Sequence, residues 1–191
     1  MDRVTIDPVS GWAEHCRSVP SPNFDARPAG ALIDLVIIHG ISLPPGRYGG
    51  AHVDELFTNT LDPAGHPYFA EIAHLAVSSH FLIDRAGRIT QYVSALDRAW
   101  HAGDSSWCGR SRCNDYAVGI ELEGTDTEPY EPAQYDTLTE LLVALIDLCP
   151  AISTDRIVGH CDVAPLRKTD PGPAFDWQRL RRALAMRRSG G

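Results

Sequence analysis

One nearly continuous apolar run constrains the fold of this chain more than any other segment. Residues Leu32–Ile38 read Leu-Ile-Asp-Leu-Val-Ile-Ile, and the run ends at His39 and Gly40. Such a run is typical of a strand that is buried on both faces, because a half-exposed strand would alternate apolar and polar residues. We therefore predict a strand over 32–39 in the interior of a sheet that is covered on both sides.

The rest of the chain alternates between strand and helix patterns. Further strands are predicted over Val77–Asp84, Arg88–Val93, Tyr116–Gly124 and 156–159, and helices over Ala51–Thr58, Pro67–Leu75, Pro132–Cys149 and Trp177–Arg187. The first two of these strands flank Arg85-Ala86-Gly87 and predict a hairpin. This order predicts an α/β fold in which helices flank a central mixed β-sheet. A chain of 191 residues suits one domain, which we expect to span 1–191 with its core over about 11–185.

Composition excludes several classes of partner. The net charge of −8 argues against nucleic acid, although five arginines lie between Arg179 and Arg188, where they fit the polar face of a terminal helix. The most apolar runs are short and contain aspartate, so we expect no membrane partner. The five cysteines show no regular spacing, and the first residues show no export signal. We therefore expect a cytoplasmic monomer with reduced thiols.

Two of the eight histidines follow apolar strands into loops, where functional sites are commonly built. His39 ends the run described above, and His160 follows the short strand over 156–159. With Asp170 they form a His, His, Asp set, and three such ligands with a fourth position open to water are typical of a catalytic zinc ion. The three positions are far apart in sequence, so the spacing alone is a weak signal.

The segment Gly159–Pro173 surrounds two of these residues and also holds Lys168, which is the chain's single lysine. Its prolines predict an irregular, extended conformation rather than a helix. In an extended segment residues two apart point the same way, so Lys168 and Asp170 are expected to project from one side. Cys161 follows His160 directly, but adjacent residues of an extended chain point in opposite directions, which disfavours a thiol nucleophile activated by that histidine.

A zinc site of this kind needs a proton carrier and a cation. Alternation along Tyr116–Gly124 places Glu121 and Glu123 on one face of the strand, and either carboxylate suits proton transfer. Lys168 suits the stabilisation of a developing oxyanion. The set favours hydrolysis of an amide or ester. The alternatives are a solvated strand face for the two glutamates and a surface ion pair for the lysine.

Cys108 and Cys113 are interpreted as plain thiols.

Seven ordered segments of the chain form a specific pattern: Val19–Asn23, Ile41–Gly46, Phe57–Phe69, Trp100–Gly103, Cys113–Asp115, Gly119–Asp126 and Gly159–Pro173. In these segments the chain resembles the cytoplasmic 1,6-anhydro-N-acetylmuramyl-L-alanine amidases, and the resemblance covers about 11–180. These enzymes belong to the zinc amidase family that is related to peptidoglycan recognition proteins and phage lysozyme-amidases.

The resemblance implies a mixed sheet flanked by helices and one Zn²⁺ per chain on His39, His160 and Asp170. It also implies that Glu121, rather than Glu123, is the essential glutamate. Lys168 falls on the essential lysine, and Tyr68 on the active-site tyrosine. The implied reaction cuts the amide between the lactyl group of 1,6-anhydro-N-acetylmuramic acid and L-alanine in muropeptides, during peptidoglycan recycling. His101 and Arg112 are candidate substrate contacts, with loop stabilisation as the alternative for both.

Three positions depart from the pattern of the resembling amidases. Gly40 and Asp162 stand where those amidases carry asparagine, and Ala76 stands where they often carry arginine. All three are expected to affect how a muropeptide is held. Two other functions remain open at this point: a muropeptide sensor without catalysis, and an amidase that acts on intact peptidoglycan.

Overall fold

The structure is a computed structural model that describes residues 3–189; residues 1–2 and 190–191 of the predicted domain lie outside this range. Five helices occur within the described range: α1 (His52–Phe57), α2 (Pro67–Ile72), α3 (Pro132–Leu148), α4 (His160–Val163) and α5 (Trp177–Ser189). Ten strands accompany them: β1 (Arg17–Ser18), β2 (Phe24–Asp25), β3 (Leu35–Ile41), β4 (Phe81–Ile83), β5 (Ile89–Gln91), β6 (Arg98–Ala99), β7 (Ser106–Trp107), β8 (Arg110–Ser111), β9 (Ala117–Glu123) and β10 (Ile157–Gly159).

Six strands form one mixed sheet in the order β1-β5-β4-β9-β3-β10. The strands β4, β9, β3 and β10 run parallel to one another, while β5 pairs antiparallel with β4 as the predicted hairpin. Short pairs β2–β6 and β7–β8 lie outside this sheet. The predicted mixed sheet with flanking helices is confirmed.

The central strand β3 is buried on both faces, as its apolar run predicts. Leu35, Val36, Ile37 and Ile38 have no exposed surface. One face of the sheet packs against α3 and α5, whose leucines join the largest apolar cluster. The strand itself is shifted from the predicted 32–39 to 35–41, and Leu32 is exposed.

The longest helix, α3, begins at Pro132 as predicted and ends at Leu148. Glu131 precedes it, and the side chain of Gln134 accepts a hydrogen bond from the Glu131 backbone N–H at 2.9 Å. A side chain in the first turn therefore satisfies a backbone donor that the helix leaves open, which fixes where α3 begins.

No helix within residues 3–189 is long and apolar enough to cross a membrane.

The segment 159–173 is not extended throughout, so that prediction is wrong for its first part. His160–Val163 form the single helical turn α4, in which the Ala164 N–H donates to the His160 carbonyl at 3.0 Å. Asp162 accepts the Gly159 N–H at 2.7 Å and stabilises the start of this turn. The prolines all follow the turn and do not interrupt it.

Register places the chemically active side chains at one edge of the sheet. His39 on β3 is paired directly with Glu121 on β9, and β10 ends at Gly159, directly before His160. Because β9, β3 and β10 are parallel, their carboxyl ends meet at the same edge, where sites of α/β sheets are usually built.

Candidate functional site

Three predicted ligand atoms form a small triangle at this edge of the sheet. Nδ1 of His39 lies 3.0 Å from Nδ1 of His160. Oδ2 of Asp170 lies 3.3 Å from the first nitrogen and 3.1 Å from the second. The structure thus brings together His39, His160 and Asp170, which are separated by up to 131 positions in the sequence (170 minus 39).

The triangle fits a zinc ion. Ligand atoms at about 2.0–2.1 Å around a tetrahedral zinc stand about 3.3 Å apart, which is close to all three observed separations. Burial lowers the pKa of His39 to about 4, so its ring is neutral and has a free nitrogen at neutral pH. Burial alone would raise the pKa of Asp170, but hydrogen bonds with His160 and His39 hold it below its ordinary value. Two imidazoles and one carboxylate are a suitable donor set.

Glu121 lies beside the triangle, with its Oε1 3.9 Å from Nδ1 of His39. Burial raises the pKa of Glu121 well above its ordinary value, and the charge of Asp170 raises it further, while Lys168 opposes the shift. The carboxyl group therefore stands where a proton can be exchanged with a molecule held next to the triangle.

Glu123, the alternative left open by the alternation, serves a different purpose. Its carboxylate accepts hydrogen bonds from the backbone N–H groups of Gly49 and Arg85. It thereby ties the loop that precedes α1 to the β4–β5 hairpin. Glu121 lines the cleft above the triangle, whereas Glu123 lines a separate cavity.

The cleft has a volume of about 380 Å³ and is open to solvent on one side. Lys168 and Tyr68 both line it, together with Trp100 and His101. Lys168 and Asp170 therefore face the same space, as expected. Tyr68 stands in the first turn of α2, where its backbone N–H donates to Nδ1 of His66 at 3.1 Å.

The two predicted substrate contacts are in different environments. His101 lines the cleft and also lies behind the triangle, with its Nδ1 3.0 Å from Nε2 of His39. Arg112 is exposed, pairs with Asp115 at 3.2 Å and is not among the residues that line the cleft. This ion pair matches the loop-stabilising alternative for Arg112.

The departures from the amidase pattern also fall in different places. Gly40 lines the cleft, and a Cβ atom there would overlap the hydroxyl of Tyr130, which donates to the Pro171 carbonyl at 3.0 Å. Ala76 is exposed outside the cleft lining. Asp162 supports the turn of α4, as described above.

The cysteines offer no competing chemistry among the described residues. Burial raises the pKa of the Cys161 thiol, and the neighbouring Asp162 and Asp170 raise it further, which disfavours a thiolate. Cys108 is exposed, and the sulfur of buried Cys113 lies 3.2 Å from the Tyr116 hydroxyl. Within residues 3–189, the His39, His160 and Asp170 set is the one cluster of three such ligands.

Sequence reasoning missed the groups that surround the ligand histidines. The carbonyl of Ala102 lies 3.2 Å from Nε2 of His160. The side-chain oxygen of Asn114 accepts the backbone N–H groups of His101 and Ala102, at 3.2 Å and 2.8 Å. A backbone carbonyl gives no side-chain signal in a sequence, and one asparagine in a loop is too common to stand out.

The chain is similar to a known enzyme family along most of its length. Residues 29–173 match the family model described as N-acetylmuramoyl-L-alanine amidase. The chain is 58% identical over 171 residues to the 1,6-anhydro-N-acetylmuramyl-L-alanine amidase AmpD of Escherichia coli K12, with 90% of this chain and 93% of that protein covered. It is 56% identical over 179 residues to AmpD of Salmonella typhimurium SL1344, with coverage of 94% and 95%.

Solved structures agree with this relationship. The crystal structure of a selenomethionine AmpD derivative superposes with a TM-score of 0.90 at 55% identity, and covers 94% of this chain and 98% of that one. AmiD from E. coli, solved in complex with the substrate anhydro-N-acetylmuramic acid-L-Ala-D-γ-Glu-L-Lys, gives a TM-score of 0.60 at 29% identity. That match covers 94% of this chain and 65% of AmiD. The chain therefore belongs to the N-acetylmuramoyl-L-alanine amidase family.

Proposed function

We propose that the chain is a zinc-dependent amidase that cuts the bond between the lactyl group of 1,6-anhydro-N-acetylmuramic acid and L-alanine in muropeptides, in peptidoglycan recycling. The observation that carries this proposal is the ligand triangle, whose separations of 3.0, 3.1 and 3.3 Å suit one zinc ion. Glu121 and Lys168 line the same cleft. These residues would supply a metal set, a proton carrier and a cation, which are the parts that amide hydrolysis requires.

His39, His160 and Asp170 would hold the metal. Zinc, when bound, supplies a Lewis acid that lowers the pKa of a bound water and polarises a carbonyl group. Glu121 takes a proton from the attacking water and delivers it to the leaving nitrogen of L-alanine. The oxygen of that water bonds to the lactyl carbonyl carbon as the carbon–nitrogen bond breaks. The products are a lactyl carboxylate and a peptide whose new amino group, as an ammonium ion, carries both protons of the water.

The other predicted site residues would stabilise charge or contact the substrate. The ammonium group of Lys168 stabilises the negative charge that develops on the lactyl oxygen. Tyr68, at the start of α2, lines the same cleft and would position the reacting amide through its hydroxyl. His101 and Arg112 are the substrate contacts that the sequence suggests, and Arg112 would have to leave its Asp115 ion pair to serve as one.

The substrate class follows from the relatives. AmpD of E. coli and Salmonella carries the name of an anhydro-muramyl amidase, and AmiD was solved with an anhydro-muropeptide bound. We infer that this chain takes the same class of substrate as a cytoplasmic monomer of one domain, without nucleic acid or membrane partners. One Zn²⁺ per chain is the inferred cofactor.

Purified protein should be mixed with anhydro-muramyl-tripeptide, and free tripeptide measured by mass spectrometry. We expect release that stops with a chelator and returns when zinc is added. Intact peptidoglycan sacculi serve as the second substrate, because an enzyme of wall hydrolysis would release peptide from them at a comparable rate. Binding of the tripeptide conjugate without release, by protein that holds zinc, would refute the proposal and favour a muropeptide sensor.

A further inference from the structure

One short segment contacts both ligand histidines on the side away from the metal triangle. Nδ1 of His101 lies 3.0 Å from Nε2 of His39, and the carbonyl of Ala102 lies 3.2 Å from Nε2 of His160. Of these two consecutive residues, the first thus offers a hydrogen-bond acceptor to His39 and the second offers one to His160. His39 lies on β3 and His160 begins α4, so this segment is a structural link between two separate elements.

The direction of these hydrogen bonds follows from the partners and from the proposed ligand atoms. The Ala102 carbonyl can only accept, so the Nε2 atom of His160 is the donor in that contact. With Nδ1 of His39 assigned to the metal, its Nε2 would carry the proton and donate to Nδ1 of His101. A metal-binding histidine is commonly fixed in tautomer and ring orientation by an acceptor on its second nitrogen.

The segment is itself held from three sides. The side-chain oxygen of Asn114 accepts the backbone N–H of both His101 and Ala102, at 3.2 Å and 2.8 Å. Arg167 donates to the Ala102 carbonyl at 2.6 Å. The ring of His101 lies against Gly119, where a Cβ atom would come within 2.5–2.8 Å of three ring atoms. Its position is therefore set by its surroundings and not by chance contact with His39.

We propose that His101 is a positioning residue for His39, and that Asn114 is a positioning residue that holds the 101–102 segment against both ligand histidines. This inference rests on the proposed zinc site and deepens it. It assigns His101 to the metal side of the cleft, whereas the sequence suggests a substrate contact. The two roles differ in what they change: a positioning residue affects zinc affinity, and a substrate contact affects the KM of zinc-saturated enzyme.

Paired variants at each position test the proposal. His101→Ala removes the acceptor, whereas His101→Asn keeps an oxygen near the position of Nδ1. Asn114→Ala removes the acceptor of two backbone N–H groups, whereas Asn114→Asp keeps it. The zinc Kd of each full-length variant is measured by competition with a chromophoric chelator. The visible spectrum of the Co²⁺ form reports ligand geometry without any need for turnover.

We expect the two alanine variants to bind zinc about 10–100-fold more weakly and to show an altered Co²⁺ spectrum. The conservative variants should stay close to the unchanged protein, and so should His74→Ala, which removes an exposed histidine elsewhere. With zinc saturating, KM should be the same in all of them.

Unchanged zinc affinity in His101→Ala, together with a raised KM, would overturn the proposal and make His101 a substrate contact. Should His101→Ala fail to fold, the Asn114 pair decides the matter in the same way. The unchanged protein separates this inference from the proposed function. If the unchanged protein binds zinc and turns over substrate, and neither alanine variant loses zinc affinity, only this inference is refuted. If the unchanged protein binds no zinc at all, both the inference and the proposed function are refuted.

Discussion

Replacing Gly119 with alanine tests whether the space behind the ligand histidines is as tightly filled as the structure shows. A Cβ atom at this position would lie 2.5 Å from Cγ, 2.6 Å from Nδ1 and 2.8 Å from Cδ2 of His101. Carbon atoms in good contact are about 3.5–4.0 Å apart, so the ring must retreat by about 1 Å. The bond of 3.0 Å between His101 and His39 would then be stretched beyond hydrogen-bonding range.

Two effects of opposite sign decide the change in stability. The φ angle of Gly119 is not in the left-handed region, so alanine is allowed there and would by itself stabilise the protein by about 0.4–1 kcal/mol. Forcing extra volume into a packed interior costs about 1–3 kcal/mol. The overlap with a buried ring is the larger effect. We expect a net loss of about 1.5 kcal/mol, which for a chain of this size lowers Tm by about 3–6 °C.

Thermal unfolding of the chelated protein measures this change, and chelator competition measures the accompanying loss of zinc affinity. Gly65→Ala is the matched control, because a Cβ atom there would meet its nearest neighbours at 3.3 and 3.5 Å on an exposed turn. The double variant Gly119→Ala, His101→Ala removes the overlapping ring, so its loss should be smaller than the sum of the two single losses. An unchanged or raised Tm in Gly119→Ala would refute the packing argument.

Three further predictions concern the site and its surroundings. Asp170→Ala should lose most of its zinc because the substitution removes the anionic ligand, whereas the control Asp162→Asn should keep its zinc. Zinc content is measured by metal analysis after gel filtration. Full zinc content in Asp170→Ala would contradict the ligand assignment. Glu121→Gln and Lys168→Met should keep zinc but lose about 100-fold or more in kcat, as measured by tripeptide release. If Glu121→Gln stays active, another group must carry out the proton transfer. Burial, aided by the charge of Arg27, lowers the pKa of His80 to about 3. Between about pH 6.5 and pH 3 the unfolded chain therefore binds more protons at this histidine than the folded chain does. At pH 5 this difference lowers the free energy of unfolding by about 2 kcal/mol relative to its value well above pH 6.5. His80→Asn should show a shallower loss of stability from pH 6.5 to pH 5 in urea unfolding of chelated protein; an equal slope would contradict it.

Much of the fold was predictable because it depends on local patterns. The apolar run that ends at His39 predicts a strand buried on both faces, and the leucine spacing after Pro132 predicts the long helix; both are present. The extended conformation that the prolines predict for the segment after Gly159 is wrong for its first part. The prolines act only on the residues next to them, and all of them follow the turn of α4, which Asp162 stabilises.

The choice between Glu121 and Glu123 shows where a single sequence reaches its limit. Both side chains lie on the same face of β9, so alternation cannot separate them. Register does, because His39 pairs with Glu121 while Ile41 pairs with Glu123. Register depends on strands that are about 80 positions apart in the chain, and no local pattern encodes it.

The surroundings of the metal ligands were beyond prediction for a related reason. A ligand histidine is visible in a sequence because few side chains bind zinc, but its outer N–H can donate to any nearby acceptor. In this chain one partner is a side chain, His101, and the other is the backbone of Ala102. Because both belong to one segment, a displacement of that segment would move both acceptors together. Residues such as Asn114 and Gly119, which lie outside the ligand set, are therefore expected to affect its affinity for a metal ion.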